Sequence, residues 1–147
     1  MASIKSHIRR RFKPNEYPEN AYSSCSEVIG KFATIDLKEG EEALILINNE
    51  PHSDQSDGVI FTTERLIVVK HGSCESVPWE QIESYKLPSE KIRNDYTGDD
   101  RKMARNDKIA LNLRDGKTVD VKIIYGGVYQ LATLIINLKR FGHFSSN

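Results

Sequence analysis

The sequence has little of several residue types and patterns that mark large classes of protein. Its 147 residues include only two cysteines, Cys25 and Cys74, with no CxxC pair, so neither a disulfide framework nor a zinc site is predicted. No stretch approaches the roughly 18 consecutive apolar residues of a membrane-spanning helix. The N-terminus is basic but has no apolar core or cleavage site behind it, so we expect a cytoplasmic protein.

Motifs for catalysis and for cofactor binding are also missing. The four histidines fall in segments predicted as arm, turns or tail, and none belongs to a recognisable catalytic or metal-binding motif. No glycine-rich nucleotide fingerprint is present. The sequence therefore predicts a protein that is not an enzyme, with no catalytic residues, no metal and no cofactor.

The composition is that of a folded chain with an uneven distribution of charge. Hydrophobic residues make up 38% and charged residues 29%, a globular balance that suits one domain with a terminal appendage. Residues 1–13 hold five bases and no acid. Because those five belong to a total of 21 bases and 21 acids, the rest of the chain has 16 bases against 21 acids. A basic arm thus precedes an acidic domain.

The acids are concentrated in residues 36–57, where seven carboxylates accompany the single base Lys38. Unpaired charge is usually kept at the surface of a small domain. We therefore expect the acids of this stretch to form an exposed face that attracts a protein partner with a basic surface. The candidate partner-binding residues are Glu41, Glu42, Glu50, Asp54 and Asp57.

Hydrophobic spacing divides the chain into three parts. Residues 1–20 form a short basic arm, in which Ile4, Ile8 and Phe12 have helical spacing before Pro14 stops the helix. Residues 21–40 are predicted as an N-terminal helix and linker, because apolar residues recur every three to four positions after Asn20. The strand period begins near Glu42, so residues 41–147 are predicted as the main domain.

Seven strands and one helix are predicted in this domain. The Asp115-Gly116 pair predicts a tight hairpin between the last two strands. Apolar residues at helical spacing after Gly127, with Lys139 and Arg140 in the last turn, predict a C-terminal helix. The strands are predicted at residues 43–47, 59–62, 65–70, 74–78, 82–87, 109–113 and 119–124.

This order resembles that of the bacterial PH-like (pleckstrin-homology-like) domain family over roughly residues 40–142. The resemblance rests on three segments: Gly58 to Val69, Val77 to Ile82, and Leu111 to Gly116. It implies a mainly β fold, in which seven antiparallel strands form an open barrel and the C-terminal helix caps one end. Here a short N-terminal helix precedes the barrel. PH-like folds serve lipid binding, peptide binding and assembly alike, so the resemblance does not select a function.

Phosphoinositide-binding PH domains hold their ligand with bases on the first strand and the loop after it. In this chain the corresponding loop, Asn48 to Gly58, contains acids and neither lysine nor arginine. The sequence therefore argues against phosphoinositide binding at that loop, and nothing in it predicts a specific nucleic acid.

Three functions remain open on the sequence alone. In the first, the chain is a non-catalytic protein-binding module for assembly or regulation, which adds a partner strand at a sheet edge or forms a homo-oligomer. In the second, it is an immunity protein or inhibitor that neutralises a toxin, such as a nuclease, through its acidic face. In the third, it is a weak membrane-surface adaptor that uses the basic arm.

Overall fold

The computed structural model describes residues 3–17, 21–23, 35–50, 57–71, 73–87, 107–124 and 127–141. These residues form a mainly β structure with two antiparallel sheets. One helix precedes the strands in the sequence and one follows them. The helices are α1 (Ile4–Arg11) and α2 (Gly127–Phe141). The strands are β1 (Tyr22–Ser23), β2 (Ala43–Asn48), β3 (Asp57–Thr62), β4 (Arg65–Lys70), β5 (Ser73–Pro78), β6 (Ile82–Lys86), β7 (Lys108–Leu113) and β8 (Thr118–Lys122).

The seven predicted strands correspond to β2 through β8, and the predicted C-terminal helix is α2. The first sheet has the order β1-β2-β3-β4-β5 and the second the order β6-β7-β8. The predicted hairpin at Asp115-Gly116 joins β7 to β8. Gly116 has φ of +89°, a left-handed conformation that suits glycine, and the Asp115 carboxylate accepts a hydrogen bond from the amide of Lys117.

Strands β2 to β4 of the first sheet are buried on both faces, whereas the second sheet alternates between buried and accessible residues. On β4, Leu66 and Val68 belong to the main core, and Ile67 and Val69 pack in a separate apolar cluster on the opposite face. On β8, by contrast, Val119 and Val121 are buried while Asp120 between them is exposed. Apolar clusters therefore lie on both faces of β2 to β4, and the second sheet covers one side of the core.

The described part of the basic arm, residues 3–17, contributes to this core. Ile8 and Phe12 are buried with the residues of both sheets, and α1 packs against α2. The Ser3 hydroxyl caps α1 by accepting from the amide of Ser6. Beyond the helix, the Tyr17 hydroxyl donates to the Gln130 side chain of α2 at 2.8 Å. The arm is amphipathic, and its apolar side completes the domain.

The helix predicted from residue 21 onwards can be checked only at its first residues, and there it is wrong. Tyr22 and Ser23 form β1, which pairs with Ile47 and Leu46 of β2. An unpaired edge of β2 offers backbone hydrogen bonds that helical spacing alone does not reveal. Residues 24–34 of the predicted helix and linker lie outside the described residues, as do residues 88–106 between β6 and β7.

Close packing at the start of α2 predicts a specific sensitivity to added volume. A β-carbon at Gly127 would overlap the Ile123 side chain and approach the Tyr17 hydroxyl to 2.8 Å. We expect Gly127→Ala to lower the free energy of unfolding by about 1–3 kcal/mol, the usual cost of overpacking. Chemical denaturation measures it. Thr133→Ala, at an exposed position of the same helix, is the control and should change stability by about 0.5 kcal/mol or less; equal effects would contradict the packing explanation.

Candidate functional site

Four of the five acids that the sequence grouped into one binding face are described, and they differ in exposure. Glu41 is buried, Glu42 is exposed, and Glu50 and Asp57 are half-buried. Asp54 lies outside the described residues. Asp57 stands opposite Lys70 in the pairing of β3 with β4, and one carboxylate oxygen of Glu50 is buried without a hydrogen bond. The four described acids do not present a continuous row of free carboxylates.

Glu41 is the clearest departure from expectation, because its carboxylate is fully enclosed and paired. The Arg65 guanidinium donates two hydrogen bonds to the carboxylate, from Nε at 2.9 Å and from Nη2 at 3.1 Å. The Thr62 hydroxyl donates at 2.6 Å and the amide of Lys38 at 2.9 Å. The prediction that Glu41 lies on the surface is therefore wrong, and its carboxylate has a structural role.

The charge state of Glu41 follows from this pairing. Burial alone would raise the pKa of the Glu41 carboxyl, but the hydrogen bonds from Arg65, Thr62 and the Lys38 amide outweigh that effect and lower it. Arg65 also donates to the Asp36 carbonyl and the Ser76 hydroxyl. One buried ion pair thus links the segment before β2 with β4 and β5.

Glu42 is paired at the surface. Lys5 of α1 lies 2.8 Å from one of its carboxylate oxygens. The hydrogen bond from Lys5 lowers the pKa of the Glu42 carboxyl. The basic helix and the acidic stretch therefore neutralise each other in part, which leaves less acidic surface than the sequence suggested.

A different feature stands out as a place for a partner, the outer edge of β5. Within the described strands, β5 is bonded to β4 alone and forms the end of the first sheet. Its pairing runs without a bulge from Ser73 opposite Lys70 to Pro78 opposite Arg65. The first four residues of the strand, Ser73, Cys74, Glu75 and Ser76, are all exposed.

The edge is held straight by the residues that follow it. Trp79 is buried, its indole nitrogen donates to the Thr62 carbonyl at 2.9 Å, and its amide donates to the Glu64 carbonyl. The short turn Trp79–Gln81 then leads into β6 in the other sheet. Arg114 donates to the Glu80 carbonyl and so ties this turn to the β7–β8 hairpin.

Acidic residues accompany this edge, in a part of the chain that was not singled out from the sequence. Residues 73–85 contain Glu75, Glu80 and Glu83 and neither lysine nor arginine. All three glutamates are exposed. The lack of bases over thirteen consecutive residues was a signal available in the sequence, although the position of these residues at a sheet edge was not.

Metal-ligating clusters and membrane-spanning helices would mark other kinds of site. No cluster of three or more metal-ligating side chains occurs among the described residues. None of the helices in the ranges given above is long and apolar enough to cross a membrane. No family model, no curated protein and no solved structure matches this chain.

Proposed function

We propose that the chain is a non-catalytic protein-binding module of PH-like fold, which binds an extended segment of a partner protein along β5. The fold part of the proposal is supported by the element order. Four antiparallel strands, β2 to β5, are followed by three more, β6 to β8, and then by one helix. The added β1 and α1 pack onto this arrangement from the N-terminal side.

The observation that carries the function is the regular outer edge of β5, which pairs with no further strand among those the structure describes. An edge strand presents backbone amide and carbonyl groups that a further strand can pair with, and proteins usually protect such edges with lysine, proline or a bulge. In β5 the only proline is the last residue, Pro78, and the register is continuous. Its exposed side chains are small except for Glu75. An extended peptide therefore has room to add to the sheet.

The charges indicate what kind of segment would bind. Exposed Glu75 lies on the strand, and Glu80 follows in the next turn. Opposite charges on directly facing residues stabilise a strand pair and like charges destabilise it. A second copy of β5 would bring two Glu75 carboxylates into one interface with no base on the strand to pair them. A basic segment of another protein fits the edge better than a homo-oligomer.

The other two functions have less support from the described residues. The inhibitor hypothesis depended on free acids, of which Glu41 is paired with Arg65 and Glu42 with Lys5. The membrane-adaptor hypothesis depended on the basic arm, and Ile8 and Phe12 on the apolar side of that arm are buried in the core. Arg9 and Arg10 remain exposed, but charge without an apolar face binds membranes weakly.

Selection of peptides from a random twelve-residue library, with the full chain as target, tests this function. We expect enriched peptides to carry lysine or arginine and to slow hydrogen exchange at those amides of Cys74, Glu75 and Ser76 that point away from β4, since the amides of an edge strand alternate in direction. Cys74→Lys should reduce their binding at least about tenfold, because a lysine on an edge repels a basic strand.

The matched control is Thr118→Lys on β8, which adds a lysine in place of an uncharged residue at an exposed position of the other sheet. It should leave peptide binding within about twofold, since a distant surface charge acts weakly at physiological salt. Peptides that protect another surface, or β5 amides that are all protected in the free chain, would show that this edge is not the binding site.

A further inference from the structure

A groove of about 410 Å³ lies against the second sheet, and lysines surround it. Its described lining includes Lys70 from β4, Lys86 from β6, Lys108 from β7 and Lys122 from β8, with Asp120 as the one acid among these residues. We call these four lysines and the space between them the lysine groove. Four positive charges against one negative, on four different strands, make it a concave and strongly basic part of a chain that has no net charge.

The strand register places two of these lysines in an unfavourable position. Lys108 and Lys122 face each other directly across β7 and β8, and like charges at such positions destabilise a sheet. Two residues further along β7, Ala110 pairs with Lys86 of β6 on one side and with Asp120 of β8 on the other, and so separates the two charged residues. The small side chain of Ala110, also part of the lining, leaves space where a longer residue would fill the groove.

Among the described residues, no carboxylate forms an ion pair with a lysine of the groove, although Asp57 stands opposite Lys70 in the pairing of β3 with β4. The ion pairs among the described residues are Lys5 with Glu42 and Arg65 with Glu41, and neither includes a lysine of the groove. Lys70, Lys86 and Lys108 are exposed, and Lys122 is half-buried. Side chains that repel one another and have no partner in this part of the chain would gain most from a bound anion.

The end of the groove at β8 is held in place by Asn49. Its side-chain amide donates to the Lys122 carbonyl at 2.8 Å and accepts from the amide of Ile124 at 3.0 Å. Asn49 is itself buried. The backbone that carries Lys122 is therefore tied to the end of β2, so a ligand would meet a lysine whose backbone is already positioned.

We propose that the lysine groove binds a small anion that carries several phosphate charges, a polyphosphate or a polyphosphorylated ester. Lysine ammonium groups bind phosphate as point charges. Carboxylate is better recognised by the planar guanidinium of arginine, which can donate two parallel hydrogen bonds, and the described lining of the groove contains no arginine. The volume is within the usual range for small-molecule sites. The groove is built from residues other than those of β5, and its ligand site stands or falls independently of the binding of a peptide there.

Titration with sodium tripolyphosphate, followed by calorimetry at low and at physiological salt, tests the proposal. We expect saturable binding that weakens as salt is raised. The double variant Lys108→Gln, Lys122→Gln should lose affinity about tenfold or more, because two close charges are removed. Its melting temperature without ligand should equal or exceed that of the wild type, since the opposed like charges are gone.

The control is the double variant Lys117→Gln, Lys139→Gln, which removes two exposed lysines outside the groove and should keep affinity within about twofold. The NMR signals of the lysine ε-carbons in the wild type supply a second readout, in which Lys108 and Lys122 should shift on titration.

A second arm distinguishes a free ligand from a lipid headgroup. Vesicles of phosphatidylcholine, with and without a polyphosphorylated inositol lipid, are sedimented with the wild type and the double variant. Binding to the phosphorylated vesicles that depends on Lys108 and Lys122 would assign the phosphate chemistry to a lipid source; tripolyphosphate binding alone would assign it to a soluble one. No binding in either arm, or equal binding by wild type and variant, or tighter binding of poly-glutamate than of tripolyphosphate, would overturn the proposal.

Discussion

Replacement of Arg65 by methionine is expected to lower the free energy of unfolding by about 3–5 kcal/mol at neutral pH, the usual cost when one partner of a buried ion pair is removed. The side chain of Glu41 has no exposed surface and that of Arg65 is 13% exposed, so solvent cannot replace the lost guanidinium. The variant would also lose the Arg65 bonds to the Asp36 carbonyl and the Ser76 hydroxyl. Urea denaturation at pH 7 measures the change.

The pH dependence gives this prediction a second test. The folded-state pKa of Glu41 is lowered, so its contribution is present above the unfolded pKa of about 4.3 and is lost as the pH falls through the folded value. In Arg65→Met the charged carboxylate has no counterion, and protonation relieves that penalty. The difference between wild type and variant should therefore be largest near pH 7 and should shrink as the pH falls below about 4.

Two neighbouring positions provide a matched charge control. Glu39→Lys and Glu41→Lys make the same change of charge two residues apart, but Glu39 is exposed and Glu41 is buried. The first should cost about 0.5 kcal/mol or less, whereas the second would place an ammonium group against Arg65 and should prevent folding. Equal stability of the two variants, or a loss under about 1 kcal/mol in Arg65→Met, would show that the pair contributes little.

The second large effect is expected at Trp79, whose replacement by alanine should cost about 3–5 kcal/mol. Only 2% of Trp79 is exposed. Its ring lies 6.0 Å from that of Phe61, which lies 4.5 Å from the ring of Phe12. Truncation would therefore leave a cavity at the turn between the sheets, next to Phe61. The ring of Phe61 in turn contacts Phe12, which directly follows α1. Thermal and urea unfolding followed by circular dichroism measure the loss.

Trp79→Phe is the conservative comparison, because it keeps an aromatic ring while it removes the indole donor to the Thr62 carbonyl and part of the ring volume. It should cost about 1–3 kcal/mol, the penalty for a buried acceptor left without its partner. As the only tryptophan in the sequence, Trp79 should also emit at short wavelength in the native protein. Emission typical of water, together with unchanged melting of Trp79→Ala, would contradict its place in the core.

Local patterns in the sequence were sufficient for β2 to β8 and for the last helix, but not for β1. The Asp115-Gly116 turn needs a conformation that few residues adopt, and α2 shows its apolar side at helical spacing. The burial of both faces of β2 and β4 is also encoded, since Ala43 to Ile47 and Leu66 to Val69 are continuous apolar runs without alternation. In β8, by contrast, apolar and polar residues alternate.

The candidate sites depend on contacts that have no local signature. Glu41 and Arg65 are 24 residues apart, and an acid among six others gives no sign that it alone is enclosed. Likewise, Lys70, Lys86, Lys108 and Lys122 are dispersed in the sequence and meet only because the two sheets bring their strand ends together. Charge counts over a window show composition, whereas pairing and convergence require the fold.

The packing of α1 on α2 has a consequence for when the protein can fold during its synthesis. Tyr17 and Gln130, which join the two elements, are 113 residues apart, and Ile8 and Phe12 share a core with Leu131 and Leu138. During synthesis the first helix emerges long before the last, so the core cannot close until α2 has left the ribosome. Until then the apolar side of α1 has no cover, and contacts this distant in sequence slow the search for the native state.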